Sequence, residues 1–237
     1  MQPTYWPWIG YFDLIARSDV FVFYDTVQFV RQSWQQRNRI RTAQGWQWLT
    51  VPVLHDFGQS IHDVRIEPTG HWRHKHRVSL ATSYGRAPYW ERCAPFLDEL
   101  YARPWERLAD LNVHVIRWAA EQLGLSPRFL RSSEMDPLPG TKIEPLVELC
   151  RRLGATTYLS PVASRAYIAD DQAFRDAGIE LEFHSYEHPT WPQVHGAFVS
   201  HMGVIDLLAN VGDAAGALVR SSSGAPSPAP AARGDPP

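Results

Sequence analysis

Cysteine is scarce in this chain of 237 residues. The two cysteines, Cys93 and Cys150, lie far apart, so they form neither a metal-binding spacing nor the framework of a small disulfide-rich domain. Each falls in an amphipathic segment that is typical of a helix, which predicts two buried free thiols. Free thiols persist in reducing compartments, and we therefore expect a cytoplasmic protein.

Long apolar runs are also missing. No stretch approaches the roughly 20 apolar residues that span a bilayer, and the N-terminal residues have neither the basic n-region nor the apolar h-region of a signal peptide. The formal net charge is −2, with 23 basic and 25 acidic residues. This balance indicates no general attraction to nucleic acid or to an anionic membrane, and we expect neither as a partner.

Several motifs of established chemistry are absent. The chain has no G-x-x-x-x-G-K-[ST] phosphate loop and no G-x-G-x-x-G dinucleotide fingerprint. It also lacks the G-x-S-x-G elbow, which argues against a serine hydrolase. The basic segment at residues 71–77 has no carboxylate or cysteine at ligand spacing, so we expect no metal site. These absences leave the cofactor open.

Aromatic side chains and arginines are abundant. The chain has ten Trp, ten Phe and nine Tyr, and all but two of its 23 basic residues, Lys75 and Lys142, are arginines. Aromatic rings offer a large contact area, and Tyr and Trp add a polar group. Arginine forks suit carboxylate and phosphate groups. The composition therefore favours a small-molecule ligand that is anionic or sugar-like.

The apolar pattern predicts an α/β fold with a mainly parallel sheet flanked by helices and a helical middle segment. Runs of apolar residues predict strands at residues 20–24, 46–53, 128–132, 156–159 and 181–186. Apolar residues spaced by three or four predict helices at residues 12–18, 72–84, 89–101, 105–123, 143–153, 172–177 and 204–210. We expect one domain over residues 1–215 and a disordered tail rich in Pro, Ala, Ser and Gly over residues 216–237.

Polar and aromatic residues cluster in four places, most of them beside predicted strands. The carboxyl ends of parallel strands lie on one edge of a sheet, so we expect these clusters to form a single pocket. The first is a stiff loop at residues 2–13, and the others lie at residues 25–39, 71–77 and 158–193. The residues expected to contact the substrate are Gln2, Tyr5, Trp8, Tyr11, Asp25, Gln28, Ser33, Trp34, Arg37, Asn38, Arg39, Ser160, Tyr167 and Gln193.

Three residues are the predicted catalytic groups. His76 and Lys75 lie in the crowded basic segment at residues 71–77, where neighbouring cations lower one another's pKa. A Lys or His that is neutral at working pH can act as a base or help to hold an anion. His188 lies in the fourth cluster and is the alternative base. A basic, solvated first turn of a helix is the competing interpretation of residues 71–77.

In these same clusters the chain resembles the WbqC-like family. The similarity is carried, in order, by QPTYWPWIGYFDLIARSDVFVFYDTVQF, SWQQRNRI, WLTVPV, WRHKHRVSLATSY, LADLN, RSSEM, LGATTYLS, AYI, GIELEFHSYEHPTWPQ and FVSHMGVIDLLANVG. The chain departs from the family pattern at Pro145 and Pro161, where Arg and Gly are usual. The family pattern also leads us to expect a short apolar strand before Gln2.

The resemblance implies a role in making polysaccharide sugars, such as those of O-antigen, or specialised metabolites. It suggests a small-molecule transferase that forms an amide by moving an acyl or aminoacyl group to an amino sugar or related metabolite. A carrier protein or another activated donor would supply the acyl group. The first alternative is an ATP-using ligase of the nucleotidylyltransferase-like class, although its H-x-G-H signature is absent. The second is a non-catalytic module that binds glycans or organises a complex.

Overall fold

The computed structural model describes residues 1–166, 168 and 172–221, and the backbone of residues 227 and 228. Within the range predicted as one domain, the chain forms two compact units. The first contains residues 1–135 and continues from residue 188, and the second contains residues 136–187.

The helices and strands alternate along the chain. In chain order, the helices are α1 (Ile9–Ala16), α2 (His71–Tyr84), α3 (Trp90–Ala102), α4 (Leu108–Gln122), α5 (Glu144–Leu153), α6 (Gln172–Asp176), α7 (Val204–Val211) and α8 (Ala215–Ser221). The strands are β1 (Val20–Phe23), β2 (Arg37–Thr42), β3 (Gly45–Thr50), β4 (Val53–Leu54), β5 (Arg65–Ile66), β6 (Arg128–Arg131), β7 (Thr157–Pro161), β8 (Glu180–His184) and β9 (Ser227–Pro228).

Strands β1 and β6 form a parallel pair in the first unit. Val20 is in register with Arg128, and Phe23 is in register with Arg131. Phe23 is fully buried, as expected for the apolar run that predicts this strand. Met1 lies beside β1, because its amine donates to the Val22 carbonyl at 2.9 Å and its carbonyl accepts from the Tyr24 amide at 2.8 Å.

Strands β2 and β3 form an antiparallel hairpin whose two faces differ. Arg39 is in register with Trp48, and Asn38 with Leu49. Side chains alternate between the faces of a strand, so Arg37, Arg39, Trp46 and Trp48 share one face. Asn38 and Leu49 point to the other face and are buried. The hairpin therefore presents a row of arginines and tryptophans to solvent.

Helices supply most of the core of the first unit. Helix α2 packs on α3, α3 and α4 both pack on α7, and α2 also contacts β2. Apolar side chains spaced by three or four along these helices lie fully buried between them. Examples with no exposed surface are Leu80, Leu97, Leu111, Ile116 and Leu207. This packing fixes the position of α2 and of the hairpin against it.

The second unit is built around the parallel strands β7 and β8. Tyr158 is in register with Leu181, and Ser160 with Phe183. Helices α5 and α6 cover the pair, and their apolar residues join it in one cluster that includes Val147, Cys150 and Phe174. Helix α5 ends at Gly154, whose φ of 65° is the left-handed conformation that glycine adopts without strain.

The α/β class is confirmed, with parallel strand pairs flanked by helices. The parallel strands of the described residues lie in separate short pairs, and the other pairs are antiparallel. The strand predicted over residues 46–53 is divided between β3 and β4, because Pro52 has no amide hydrogen to continue the ladder. Helix α4 begins at Leu108, three residues later than predicted, and α1 begins at Ile9, three residues earlier.

The C-terminal residues begin as a helix. Helix α8 continues to Ser221, past residue 216 where the sequence places the start of the tail, and its Val219 is fully buried. Most of the predicted tail lies outside the described residues. Among the helices that are described, none combines the length and apolar character needed to cross a membrane.

Candidate functional site

His76, a predicted catalytic base, lies inside a buried aromatic network. Its Nδ1 is 3.0 Å from the Tyr5 hydroxyl, which is itself 2.7 Å from the Tyr101 hydroxyl. Trp6 donates to Tyr101 at 3.2 Å. Burial lowers the pKa of His76 to about 4, and a hydrogen bond with the Thr50 backbone only partly opposes this effect. His76 is therefore neutral, but it is only 5% exposed and its Nδ1 is engaged by Tyr5. We assign it to the support of the loop at residues 5–8.

This environment predicts a loss of stability in mild acid. Unfolded His76 takes up a proton below about pH 6.5, whereas the folded protein keeps it neutral down to about pH 4. Within that window the unfolded state binds the extra proton, so the free energy of unfolding should fall by about 1.4 kcal/mol per pH unit. We expect the free energy of unfolding, measured by denaturant titration at several pH values, to depend on pH less steeply by that amount in His76→Gln. His71→Gln, on the exposed start of α2, should keep the original slope, and equal slopes in all three proteins would contradict the assignment.

Asp25 follows β1 directly and is fully buried. Its carboxylate accepts hydrogen bonds from Arg131 at 2.9 Å and from the Ser132 hydroxyl at 3.0 Å. The amide and hydroxyl of Ser133 also donate to it, both at 2.9 Å. Arg131 pairs in addition with Asp110 at 2.6 Å. Because protein donors surround its carboxylate, Asp25 joins the ends of β1 and β6 and offers little to a ligand.

Other predicted contact residues are also occupied within the protein. Tyr11 donates to the Gln2 carbonyl at 3.1 Å, and Gln35 donates to the Gln2 side chain at 2.8 Å. Asn38 donates to the Trp6 carbonyl at 2.8 Å. Gln193 donates to the Val199 carbonyl and to Asp206. Tyr5, Tyr11 and Asn38 are buried. These hydrogen bonds indicate that Gln2, Tyr11, Asn38 and Gln193 stabilise the fold.

The residues of the hairpin face remain open to solvent. Trp34, Trp46 and Trp48 are 48%, 45% and 37% exposed, which is unusual for such large apolar side chains. The Arg37 guanidinium lies 4.4 Å from the centre of the Trp48 ring. The Arg39 guanidinium lies 5.7, 5.1 and 6.0 Å from the rings of Trp34, Trp46 and Trp48. We call these five residues the Trp–Arg face.

A second group adjoins the Trp–Arg face through Arg39. Arg39 donates to the His201 carbonyl at 3.2 Å. The His201 ring stacks on Trp8, with 5.0 Å between ring centres, and lies 4.8 Å from the ring of His188. His188 also stacks on Trp8, at 6.0 Å. We call Trp8, His188, His201 and Arg39 the His201 cluster.

The two imidazoles of this cluster have different hydrogen bonds. Nδ1 of His188 donates to the Pro189 carbonyl at 2.8 Å, and its Nε2 accepts from the His201 amide at 3.1 Å. Both nitrogens of His188 are therefore engaged. His201 is exposed, and its Nδ1 lies 2.8 Å from the Ser200 hydroxyl. Its Nε2 has no hydrogen-bond partner among the described residues, so His201 is the imidazole that can accept a proton.

Burial and neighbouring charge keep these imidazoles uncharged. Burial lowers the pKa of His201, and the Arg39 guanidinium lowers it further. Burial also lowers the pKa of His188; His201 adds to this effect, while the hydrogen bond to Pro189 opposes it. An exposed histidine that is neutral near pH 7 is a suitable general base. The His201 cluster can therefore take a proton from a bound amine or hydroxyl group.

The backbone holds His201 in an uncommon conformation. Its φ is 59°, in the left-handed region that costs a non-glycine residue about 1 kcal/mol or more. This conformation lets its amide donate to His188 while its carbonyl accepts from Arg39. Trp191 and Gln193 both donate at 2.8 Å to buried Asp206, which anchors the loop before His201. Strain that is maintained in this way is common at functional sites.

Lys75, Gln28 and Ser33 of the first unit belong to neither the Trp–Arg face nor the His201 cluster. Lys75 and Gln28 are exposed, and Gln28 bridges to Ser60. Ser33 accepts from the Gln35 amide at 3.2 Å. Ser160 belongs to the second unit, where it is buried and its hydroxyl lies 2.5 Å from that of Ser164. Tyr167 lies outside the described residues.

Sequence reasoning missed His201, Trp46 and Trp48. Trp46 and Trp48 are two residues apart on one strand, and that spacing alone places them on a common face. His201 is inside FVSHMGVIDLLANVG, but nothing local indicates that Trp8 and Arg39 lie against it. Within the part of the chain that the structure describes, no group of three or more His, Cys, Asp or Glu residues could hold a metal ion.

Comparison with known proteins points to one family. The model of the WbqC-like protein family matches residues 2–217. The uncharacterised protein Rv1507c of Mycobacterium tuberculosis (strain ATCC 25618 / H37Rv) is 35% identical to this chain over 216 residues, which cover 90% of this chain and 92% of that protein. No solved structure was found to match the chain.

Proposed function

Because the chain belongs to the WbqC-like protein family, we propose that it is a small-molecule transferase that forms an amide. It moves an acyl or aminoacyl group from an activated donor to the amine of an amino sugar or related metabolite. The observation that supports this reaction best is the exposed imidazole of His201, kept uncharged beside Arg39 and stacked on Trp8. Amide formation needs such a base next to a surface that can hold a sugar.

In the proposed reaction, the acceptor amine attacks the carbonyl carbon of the donor. The new C–N bond forms as the bond from that carbon to the leaving group breaks, and the leaving group departs with the electron pair. Nε2 of His201 takes the proton that the nitrogen loses. Arg39 carries the positive charge closest to this imidazole in the cluster, and it stabilises negative charge on the donor oxygen or the leaving group. His188 orients His201 through its backbone amide.

The exposed tryptophans also support a second candidate, a glycan-binding module without catalysis. A module of that kind needs exposed aromatic surface and has no need of a titratable group beside it. Here the aromatic surface adjoins two imidazoles of lowered pKa, which favours the transferase. The two candidates differ in whether bound ligand is converted.

The test begins with binding and continues to product. Thermal-shift screening against acyl thioesters, aminoacyl donors, amino sugars and ATP identifies ligands, because a ligand that binds only the folded state raises the melting temperature. Pairs of binding donors and acceptors are then incubated with the protein, and products are identified by mass spectrometry. We expect an amide product that forms without ATP. Product that forms only with ATP would favour a ligase, and binding without product in any pair would favour the module.

A further inference from the structure

Arg37 and Arg39 of the Trp–Arg face differ from the arginines of the described residues that pair with a carboxylate. Arg77, Arg107 and Arg131 each lie within ion-pair distance of a carboxylate. Among the described residues, no carboxylate lies within that distance of Arg37 or Arg39. Arg37 lies over one indole ring, while Arg39 lies near three and also donates to the His201 carbonyl. Each ring contact contributes about 0.5–1 kcal/mol at exposed positions. The face therefore carries two positive charges that an anionic ligand can neutralise.

The spacing of these charges suits a ligand with two adjacent negative groups. Arg37 and Arg39 are alternate residues of β2, so their Cα atoms are about 7 Å apart and their side chains leave the same face. Side chains of this length can converge on neighbouring phosphates, and the guanidinium fork matches phosphate oxygens. A diphosphate matches the two uncompensated charges in number.

The indole rings of the Trp–Arg face can stack on a planar group of a ligand. Trp46 and Trp48 meet edge to face, with an interplanar angle of 84°, and Trp34 is tilted by 51° from Trp48. The rings thus line a surface around Arg39 with their faces turned in different directions. Such a surface offers stacking to a nucleobase next to the arginines that hold its phosphates.

We propose that the Trp–Arg face binds the nucleoside diphosphate part of a nucleotide-linked amino sugar. The sugar then extends along Arg39 toward His201, where its amine is acylated. This assignment of the acceptor rests on the proposed function, but binding to the face does not require turnover.

Isothermal titration calorimetry tests the proposal with UDP-glucosamine and with the diphosphates of uridine, thymidine, guanosine, adenosine and cytidine. At least one nucleoside diphosphate should bind more tightly than about 1 mM, the range of weak metabolite sites. Its nucleoside and inorganic pyrophosphate should each bind at least about tenfold more weakly, since each keeps only part of the contacts. Arg37→Gln and Trp48→Leu should each weaken binding by about tenfold or more. Neither residue belongs to the His201 cluster.

Two control variants match these changes elsewhere on the surface. Arg92→Gln removes an exposed arginine, and Phe57→Ser removes a side chain that is 98% exposed. Both should bind as the wild type does. The proposal is overturned if no nucleoside diphosphate binds, if pyrophosphate alone binds as tightly, or if Arg37→Gln and Trp48→Leu leave the affinity unchanged.

The outcomes separate this proposal from the transferase itself. Absence of nucleotide binding together with acylation of a free amino sugar would reject the nucleotide site and retain the transferase. Tight binding of UDP-glucosamine to the face, with no acylation by any donor, would retain the site and reject the transferase.

Discussion

Replacing Asp25 by alanine is expected to lower the free energy of unfolding by about 3–5 kcal/mol, the usual cost of removing one partner from a buried ion pair. Asp25 has no exposed surface, and the Arg131 side chain is only 16% exposed. The substitution leaves the Arg131 charge with Asp110 alone and removes the acceptor for Ser132 and Ser133. A loss of this size is a large share of the stability of a typical domain. Equilibrium denaturation measures it directly.

Two further variants make the interpretation specific. Asp25→Asn keeps the shape and some acceptor capacity, so it should lose less stability than Asp25→Ala. Asp98→Ala breaks the more exposed pair with Arg77 and should cost less than about 1 kcal/mol. If Asp25→Ala is no more destabilising than Asp98→Ala, Asp25 is not the structural link between β1 and β6.

Replacing His201 by glutamine is expected to lower kcat by about a hundredfold or more while the fold and ligand affinity are kept. The side chain is exposed, so few core contacts are lost, and glutamine retains hydrogen-bonding capacity without accepting a proton. The measurement is steady-state turnover with the donor and acceptor identified by the screen. His71→Gln changes an exposed histidine of α2 and should leave kcat unchanged. Equal kcat values for His201→Gln and the wild type would remove His201 as the base.

The pH profile gives an independent check on the same residue. The base must be unprotonated, and burial together with Arg39 lowers its pKa below 6.5. The decrease in turnover that protonation of His201 causes should therefore appear only below pH 6.5, separate from any titration of the acceptor amine. Arg39→Gln removes one cause of the lowered pKa, so this acidic limb should move toward higher pH. A limb that stays in place would show that Arg39 does not tune His201.

Local patterns were sufficient to predict most elements of the fold. The apolar run at residues 20–23 and the three-to-four spacing in α2, α3 and α4 depend on neighbouring residues alone. Strand β2 was harder, because RNRIRT has one large apolar residue, Ile40, among polar ones. Its pairing with the tryptophans of β3 supplies the missing stabilisation, and this pairing is visible only in three dimensions.

The candidate site was predicted only in part, because burial is a property of the folded chain. The segment HWRHKHR is strongly polar, yet His76 lies on the inward side of α2 against Tyr5 and Tyr101. Tyr5 is 71 residues from His76 and 96 residues from Tyr101 in the sequence. His188, Trp8, Trp34, Arg37 and Arg39 were selected from the sequence and lie in or beside the exposed contacts. His201 contacts three of them through a left-handed backbone conformation that no local sequence pattern predicts.

The most direct test of the proposed site is to observe which indole N–H signals shift when the ligand binds. Each of the ten tryptophans contributes one indole N–H signal to a proton–nitrogen correlation spectrum, and single Trp→Phe variants assign the signals. On addition of UDP-glucosamine, the proposed site predicts that the shifted signals are those of Trp8, Trp34, Trp46 and Trp48. Shifts confined to the signals of Trp72, Trp90 or Trp105, which lie in the buried helical part of the first unit, would contradict it.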